Sequence, residues 1–246
     1  MLIAIFADIH ANRQAFEACL AHARDQGAGG FVLLGDYVGY GADPDWVMSR
    51  VMDLAADGAA LMLGNHDAAI DGSADQMNLE ARIAIEWTRN ELGKPARDFL
   101  SRLPLKRADH DRLYVHAEAS HPEHWTYVVS TLEAANSLSA TKAHVTFCGH
   151  VHKPALYSLS VTAKMTAFTP TAGAAIPLLA GRRWLAVLGA VGQPRDGNPA
   201  AAYALFDTER NELTYCRVPY DIEAAAARIR QQGLPASLAD RLFVGR

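Results

Sequence analysis

The first third of the chain alternates short apolar runs with helical patterns, and each apolar run ends in a cluster of polar residues. The apolar runs occupy 2–7, 31–34 and 59–63, and the helical patterns occupy 13–26 and 44–56. An alternation of this kind is typical of parallel strands joined by right-handed helical crossovers. It predicts an α/β protein whose first three strands end at the same edge of one sheet.

The pattern of apolar residues changes after residue 105. Short apolar runs follow one another closely there and predict a second sheet with several antiparallel strands. These runs lie at 113–115, 145–148, 156–159, 175–179, 184–188 and 203–206, and further helical patterns lie at 79–92, just before 103, and at 224–232 and 234–242. The chain contains neither an internal repeat nor a Gly/Ser-rich linker. We therefore expect a single domain over residues 1–246.

Composition excludes several classes of protein. With 50% hydrophobic residues in 246, the chain can bury a substantial core, so it is neither disordered nor a small disulfide-stapled scaffold. The net charge of −4, with no basic run longer than Arg182-Arg183, argues against general nucleic-acid binding.

The three cysteines, Cys19, Cys148 and Cys216, lie far apart without a Cys-x-x-Cys pair, which favours a reducing cytoplasm. No stretch resembles a signal or a membrane span, so we expect a soluble protein.

Candidate metal ligands follow the first three apolar runs. Asp8-Ile9-His10 comes after the first run, Gly35-Asp36 after the second, and Gly64-Asn65-His66-Asp67 after the third. Open α/β sheets bind ligands at the carboxyl ends of their strands, so these side chains are expected to lie close together. Because residues i and i+2 of a strand point to the same face, Asp8 and His10 should converge on one ion.

Two later runs end in histidine. His116 follows the strand predicted at 112–115, and Gly149-His150-Val151-His152 follows the strand at 145–148. Carboxylate and amide oxygens combined with imidazole, and without a thiolate, suit Mn²⁺, Fe, Zn²⁺ or Ni²⁺. Five strand ends therefore offer oxygen and nitrogen ligands and no sulfur ligand.

In this order the blocks resemble those of the calcineurin-like metallophosphoesterases, which read D-x-H, G-D, G-N-H-[DE], a lone His and G-H-x-H. The resemblance extends to a bacterial phosphodiesterase-like branch through 35–41, 78–92 and 191–197. It implies a four-layer αββα sandwich of two mixed β-sheets flanked by helices. The chain departs from the branch at Ala117, where members usually have Gly, and at 188–190, where many have Asn-Pro-Gly-Ser.

The resemblance also implies a dinuclear metal centre, with Mn²⁺ favoured and Fe, Zn²⁺ or Ni²⁺ as alternatives. One ion would be held by Asp8, His10 and His152, the other by Asn65, His116 and His150, and Asp36 would bridge them. A metal-activated water would then attack a phosphodiester or phosphomonoester. His66 would donate a proton to the leaving alkoxide, and Asp67 would hold the His66 imidazole in place.

Three alternatives to a small-molecule phosphodiesterase stay open. Phosphoprotein phosphatases and dinucleoside polyphosphate hydrolases of the superfamily carry Asp-Arg after the Gly-Asp block, where this chain has Gly39-Tyr40, so both rank lower. A non-catalytic metal-binding scaffold ranks lower still, because the chain retains every ligand and His66. The physiological substrate and the oligomeric state are left open.

The remaining histidines and aromatic residues are interpreted as structural. His22, His110 and His144 are expected to have no role in the site, and a solvated loop is favoured over a rim for His121 and His124. Arg195, in the 193–196 loop, is left open between a phosphate contact and an exposed turn. Core or interface positions are favoured over a base-stacking platform for the aromatic residues Trp87, Trp125, Tyr127 and Trp184.

Overall fold

A computed structural model describes all residues, 1–246, as twelve β-strands and eight α-helices. The strands are β1 Leu2–Phe6, β2 Gly30–Leu33, β3 Ala60–Leu61, β4 Lys106–Asp109, β5 Arg112–Val115, β6 Val145–Cys148, β7 Ala155–Ser160, β8 Met165–Phe168, β9 Ala175–Pro177, β10 Arg182–Val187, β11 Ala201–Asp207 and β12 Glu212–Val218. The helices are α1 Arg13–Asp25, α2 Pro44–Ala56, α3 Asn65–Ala69, α4 Leu79–Glu91, α5 Lys94–Leu100, α6 Thr131–Ser139, α7 Ile222–Gln231 and α8 Ala236–Val244.

The strands form two six-stranded mixed sheets. The first has the order β3-β2-β1-β11-β12-β9, in which β3, β2 and β1 are parallel, as the sequence predicts. The second has the order β4-β5-β6-β10-β7-β8, with β5, β6 and β10 parallel. Each sheet therefore has a parallel centre whose carboxyl ends can carry a site.

The core lies in layers, and the strand alternation decides which layer each side chain joins. Ile3 and Ile5 of β1 face the second sheet, where they share an apolar cluster with Phe147 and Phe206. The rings of Phe147 and Phe206 meet at 5.3 Å. Phe6, on the opposite face of β1, packs with residues of α1 and α2, while α6 covers the outer face of the second sheet. The expected four-layer αββα sandwich is confirmed.

Two predicted strands lie in a different sheet from the one expected. The strands at Ala175–Pro177 and Ala201–Asp207 belong to the first sheet, where β11 pairs antiparallel with β1. Glu212–Val218 was missed as a strand, because Glu212, Thr214 and Arg217 interrupt its apolar residues. Apolar periodicity indicates a strand and its buried face, but it carries no information about which neighbour the strand pairs with.

Side chains cap the starts of some helices, such as α1, but not of others, such as α2. Asn12 caps α1, its Oδ1 accepting from the amide of Ala15 at 3.1 Å. Pro44 occupies the first turn of α2 after Asp43, where its missing N–H costs no hydrogen bond, but the Asp43 side chain does not cap the helix. It accepts two hydrogen bonds from Arg228 of α7 instead, because a guanidinium is a stronger partner than a backbone amide. None of the helices is long and apolar enough to cross a membrane.

Candidate metal centre

The chain leaves β1 through residues in the left-handed backbone region. β1 ends at Phe6, and Asp8 and His10 follow it with φ of 56° and 49°. The two side chains do converge, but the expected reason, alternation along a strand, is wrong because neither residue lies on a strand. Their convergence comes from a tight turn directly after β1, in which the amide of Asp8 donates to the carbonyl of Gly35 at 3.1 Å.

The loops that follow the other strands of the site share this left-handed backbone in part. Asp36, His150 and His152 also have left-handed backbones, with φ of 55°, 67° and 62°. Asn65 is the first residue of α3, and His116 directly follows β5. Non-glycine residues with positive φ are uncommon and are concentrated at functional sites. All of these residues are buried except Asn65, which is half-buried.

Four of the predicted ligands form one group. Asp8, His10, Asp36 and His152 present ligand atoms that all lie within 4.8 Å of one another. The Nε2 atoms of His10 and His152 are 3.0 Å apart, Nε2 of His152 lies 3.6 Å from Oδ1 of Asp8, and Nε2 of His10 lies 3.7 Å from Oδ2 of Asp36. Ligand atoms about 2.1 Å from a shared ion are separated by roughly 3.0–3.5 Å, so the spacing suits one ion.

A second group shares Asp36 with the first. Asp36, His116 and His150 meet within the same limit of 4.8 Å. Nε2 of His116 lies 3.4 Å from Oδ2 of Asp36, 3.2 Å from Nδ1 of His150 and 3.1 Å from Oδ1 of Asn65. The seven predicted ligands therefore lie together as two sets of atoms, with the Asp36 carboxylate common to both.

Hydrogen bonds at Nδ1 show that Nε2 of His10 and Nε2 of His152 each present a lone pair. Nδ1 of His10 faces the carbonyl of Val38 at 3.1 Å, and Nδ1 of His152 faces the carbonyl of Gln193 at 2.7 Å. Carbonyls only accept, so each Nδ1 carries the proton and each Nε2 is left without one. Two lone pairs 3.0 Å apart repel unless a cation lies between them. The donor set thus fits a divalent metal ion.

Burial and neighbouring charges set the protonation of the centre when no metal is bound. Burial lowers the pKa of His66 to about 4 and that of His150 to about 3, and it raises the pKa of Asp8 to about 7. Burial also opposes charge on His116, but the Asp36 carboxylate outweighs it and raises the His116 pKa to about 9. His116 is thus the ring that holds a proton at neutral pH, and a metal ion must displace it.

Residues 1–211 match the calcineurin-like phosphoesterase superfamily domain. The chain belongs to this superfamily. It is 33% identical over 253 residues to the uncharacterized protein MJ0912 of Methanocaldococcus jannaschii, covering 100% of this chain and 98% of that protein. The metallophosphoesterase of Sphaerobacter thermophilus is similar in structure, with a TM-score of 0.87, 35% identity and coverage of 100% of both chains.

The fold is shared with a more distant protein as well. PH1004 of Pyrococcus horikoshii, described as a hypothetical protein, superposes with a TM-score of 0.77 at 20% identity, over 100% of this chain and 98% of that one. At that identity the likeness concerns the fold alone. Members of this superfamily typically bind divalent metals, and this chain has buried Asp and His clusters that suit such ions.

In this calcineurin-like phosphoesterase, Asp67 has a different contact from the one expected. Its carboxylate accepts from the backbone amides of Asp36 at 2.7 Å, Tyr37 at 2.9 Å and Gly64 at 3.0 Å. No hydrogen bond joins it to His66, whose Nδ1 is buried without a partner, so the predicted pairing is not formed. Both oxygens of Asp67 are already used to join the loop after β2 to the start of α3.

The His66 ring occupies a narrow site beside the proposed ligands. Its centroid lies 4.8 Å from that of His10 and 4.5 Å from that of Tyr40. Gly39 has φ of +83°, and a Cβ built there would lie 2.3 Å from Nδ1 of His66. The glycine that precedes Tyr40 is therefore required by the close approach of the imidazole.

Arg195 faces the centre from the 193–196 loop. Its guanidinium lies 5.5 Å from the centre of the Tyr40 ring, and its Nη2 donates to Oε1 of Gln193 at 2.9 Å. Neighbouring arginines are paired, Arg217 with Asp196 and Arg241 with Glu80, but Arg195 forms no ion pair. A half-buried guanidinium without a carboxylate partner is suited to bind an anion, so the exposed-turn interpretation of Arg195 does not hold.

Residues 191–197 also contact the predicted metal ligands directly. Gly192 donates its amide to the carbonyl of Asp8 at 2.9 Å, and a Cβ at Gly192 would lie 1.9 Å from the carbonyl oxygen of Ile9. Gln193 holds His152, as described above. The departures from the family pattern leave this arrangement intact, and Ala117 is buried without a positive φ.

The other histidines lie outside the two groups of ligand atoms, as expected, but His124 lies at the rim of the site. Nδ1 of His22 contacts the Tyr203 hydroxyl at 2.6 Å, Nε2 of His144 faces the carbonyl of Leu178 at 3.2 Å, and His110 is exposed beside Asp109. His121 and His124 are exposed on a 3₁₀ turn at Pro122–His124, and with Glu123 they form a third, fully exposed group of ligand atoms. His124 also lines a cleft that opens from the centre.

The expectation for the aromatic residues is only partly correct. Trp184 is buried between the sheets, and Trp87 packs against α7 and α8. Trp125 and Tyr127 instead line the cleft beside the centre, and Tyr127 is 49% exposed. Sequence reasoning missed them because no periodic pattern distinguishes a loop aromatic at a site from one in the core.

Proposed function

We propose that this chain is a two-metal phosphoesterase that hydrolyses a small-molecule phosphodiester or phosphomonoester. The observation that carries the proposal is the buried cluster described above, in which two groups of ligand atoms share the Asp36 carboxylate. Asp8, His10 and His152 would hold one ion, Asn65, His116 and His150 the other, with Asp36 between them. Two divalent ions, Mn²⁺ being our first choice, lower the pKa of a water and offset phosphate charge when bound.

The chain's own residues would supply the remaining chemistry. His66 lines the cleft and is neutral at pH 7 when no metal or phosphate is bound. It would donate a hydrogen bond to the leaving oxygen, and it would donate a proton once the charge of a bound phosphate has raised its pKa. Arg195 would bind the nonbridging phosphoryl oxygens, because its charge is unpaired and Tyr40 and Gln193 hold it in place. Asp67 would act as a positioning residue for Asp36.

The compartment is part of the proposal. Cys19, Cys148 and Cys216 are all buried and free. Burial raises the pKa of each thiol, which makes the thiols poor nucleophiles and poor metal ligands at neutral pH. Three free cysteines without a disulfide support a location in the reducing cytoplasm.

The test measures metal-dependent hydrolysis of bis-p-nitrophenyl phosphate and p-nitrophenyl phosphate, with Mn²⁺, Fe²⁺, Zn²⁺ or Ni²⁺ added to protein treated with EDTA. We expect turnover with Mn²⁺ and none with EDTA. On phenyl phosphate, which has a poor leaving group, His66→Ala should lower kcat by roughly 10²- to 10⁴-fold. The loss should be smaller on the p-nitrophenyl esters, because their leaving group needs no proton. His110→Ala, at an exposed position, is the matched control.

Tight metal binding without turnover on either ester would overturn the proposal and favour the non-catalytic scaffold. Turnover confined to phosphopeptides or to dinucleoside polyphosphates would favour the corresponding alternative enzyme. A loss in His66→Ala that is the same for good and poor leaving groups would reject the proton-donor role alone.

A further inference from the structure

A cleft of about 620 Å³ opens from the metal centre, and it is large enough for the organic part of a phosphoester. Its inner end is formed by three residues of the centre, Asn65, His66 and His150. One wall consists of the segment between α3 and the start of α4, including Met77. The other wall is the loop that follows β5 and contains Trp125 and Tyr127.

The loop wall is aromatic and adjoins two of the proposed ligands. The Tyr127 ring stacks on the His150 imidazole, with centroids 4.1 Å apart and planes 13° apart, yet Tyr127 is 49% exposed. The Trp125 ring meets His116 edge to face at 5.8 Å. Any group attached to a phosphate at the centre would therefore lie within reach of these two rings.

The backbone of Trp125 is strained. It has φ of 53° and ψ of 36° in the left-handed region, which is a clear outlier for a residue of this size. It ends the 3₁₀ turn at Pro122–His124, with its amide donating to the carbonyl of Pro122 at 3.3 Å. Glycine or asparagine would fit this conformation at lower cost. Folding alone does not explain a tryptophan here, whereas a ring required in the cleft does.

We propose that the cleft binds a planar aromatic substituent of the phosphoester, an aryl ring or a nucleobase, against Trp125 and Tyr127. The phosphoryl group would lie at the metal centre, so this inference rests on the proposed function. Aromatic faces bind planar rings by stacking with little dependence on ring identity, and Met77 on the opposite wall adds a soft apolar contact. The substrate class would be aryl or nucleoside phosphoesters rather than alkyl ones.

The experiment measures binding and needs no turnover. Methylphosphonate, phenylphosphonate and the methylene phosphonate analogue of AMP are titrated into the Mn²⁺-loaded protein, and Kd is obtained from the rise in Tm. We expect both aromatic ligands to bind about tenfold or more tightly than methylphosphonate. A further gain for the AMP analogue over phenylphosphonate would indicate a nucleobase, and equal affinities would indicate a simple aryl group.

Two variants separate the ring from the backbone. Trp125→Asn tolerates the left-handed conformation but lacks the ring, so it should retain methylphosphonate binding and lose most of the aromatic preference. Trp125→Phe keeps an aromatic ring and should keep most of that preference. A wild-type protein that binds the three ligands equally or not at all, or a Trp125→Asn variant that retains the preference, would overturn the inference.

Failure of this inference is distinguishable from failure of the proposed function. If p-nitrophenyl esters are hydrolysed but no aromatic preference is found, the inference alone is wrong. If no phosphoester is hydrolysed and the aromatic preference is still present, the proposed hydrolysis is wrong while the assignment of the cleft holds.

Discussion

Five of the seven proposed metal ligands have left-handed backbones, Asp8, His10, Asp36, His150 and His152. Each such residue is strained, and hydrogen bonds from neighbouring loops hold it in place. The amide of His150, for example, donates to both oxygens of Asp8 at 3.1 and 3.0 Å. The loops after the strands thus help to fix one another's conformation, so the proposed ligands are oriented by their mutual contacts.

Gly39 offers a test of the position of His66. We expect Gly39→Ala to lower kcat by tenfold or more while metal content stays unchanged, because the new Cβ would overlap the imidazole. The measurement is kcat for the hydrolysis of phenyl phosphate, together with metal analysis of the purified variant.

Gly27→Ala is the matched control, since Gly27 has nearly the same φ, +82°, but nothing within 4 Å of an added Cβ. Both variants incur the backbone cost of an alanine in the left-handed region, about 1–2 kcal/mol. If the two variants lose activity equally, the contact between Gly39 and His66 has no catalytic importance.

At the scale of elements, the helices and strands with a clear apolar period could be predicted. The helix Pro44–Ala56 and the strand Val145–Cys148 were placed with their correct bounds. The helix Asn65–Ala69 is too short to show a period and was missed, although it carries Asn65, His66 and Asp67. The metal blocks were recognised from residue type and order, so that omission did not conceal the site.

The loop after β2 and the start of α3 are joined through Asp67, which accepts from backbone amides of both segments. We expect Asp67→Asn to lower the free energy of unfolding by roughly 2–4 kcal/mol, because an amide NH₂ would face backbone donors in a buried position. Metal affinity should fall with it, since Asp36 would be displaced. Urea unfolding and metal titration at pH 8 measure the two effects.

Asp71→Asn provides the comparison, because Asp71 is exposed and pairs with Arg97 at the surface. Its cost should stay below about 1 kcal/mol. An Asp67→Asn variant as stable as Asp71→Asn would show that the Asp67 carboxylate is not needed to join the two segments.

At the scale of the molecule, packing of the two sheets brings together blocks far apart in the chain, such as Asp8 and His150, which are 142 residues apart. The centre lies on residues from both sheets, and an apolar cluster that includes Phe147 and Phe206 lies between them. We therefore predict a single domain that unfolds in one transition, a prediction that calorimetry can test.

The stability of the metal-free protein should fall as the pH rises from about 6.5 to 9. The folded-state pKa of His116 is raised to about 9, and those of Asp8 and Asp67 to about 7, all above the unfolded values. The folded state therefore holds protons that the unfolded state has lost, and their contribution disappears as the pH rises through these values. One such proton gives a maximum slope of about 1.4 kcal/mol per pH unit.

Urea unfolding of EDTA-treated protein across this range measures the slope. The Mn²⁺-saturated protein should be more stable at every pH, and it should lack the slope because metal binding displaces these protons. Metal-free stability that stays level or rises with pH would contradict the assigned protonation of His116 and Asp8.

The sequence by itself determined the α/β class, the parallel first three strands and the set of residues that gather at the strand ends. Apolar periodicity and residue order are local properties that can be read along the chain. Tertiary structure alone decided that β11 pairs with β1, that Asp67 contacts backbone rather than His66, and that Arg195 and Trp125 face the centre. These depend on contacts between distant segments and on single left-handed residues, and neither leaves a periodic signal in the sequence.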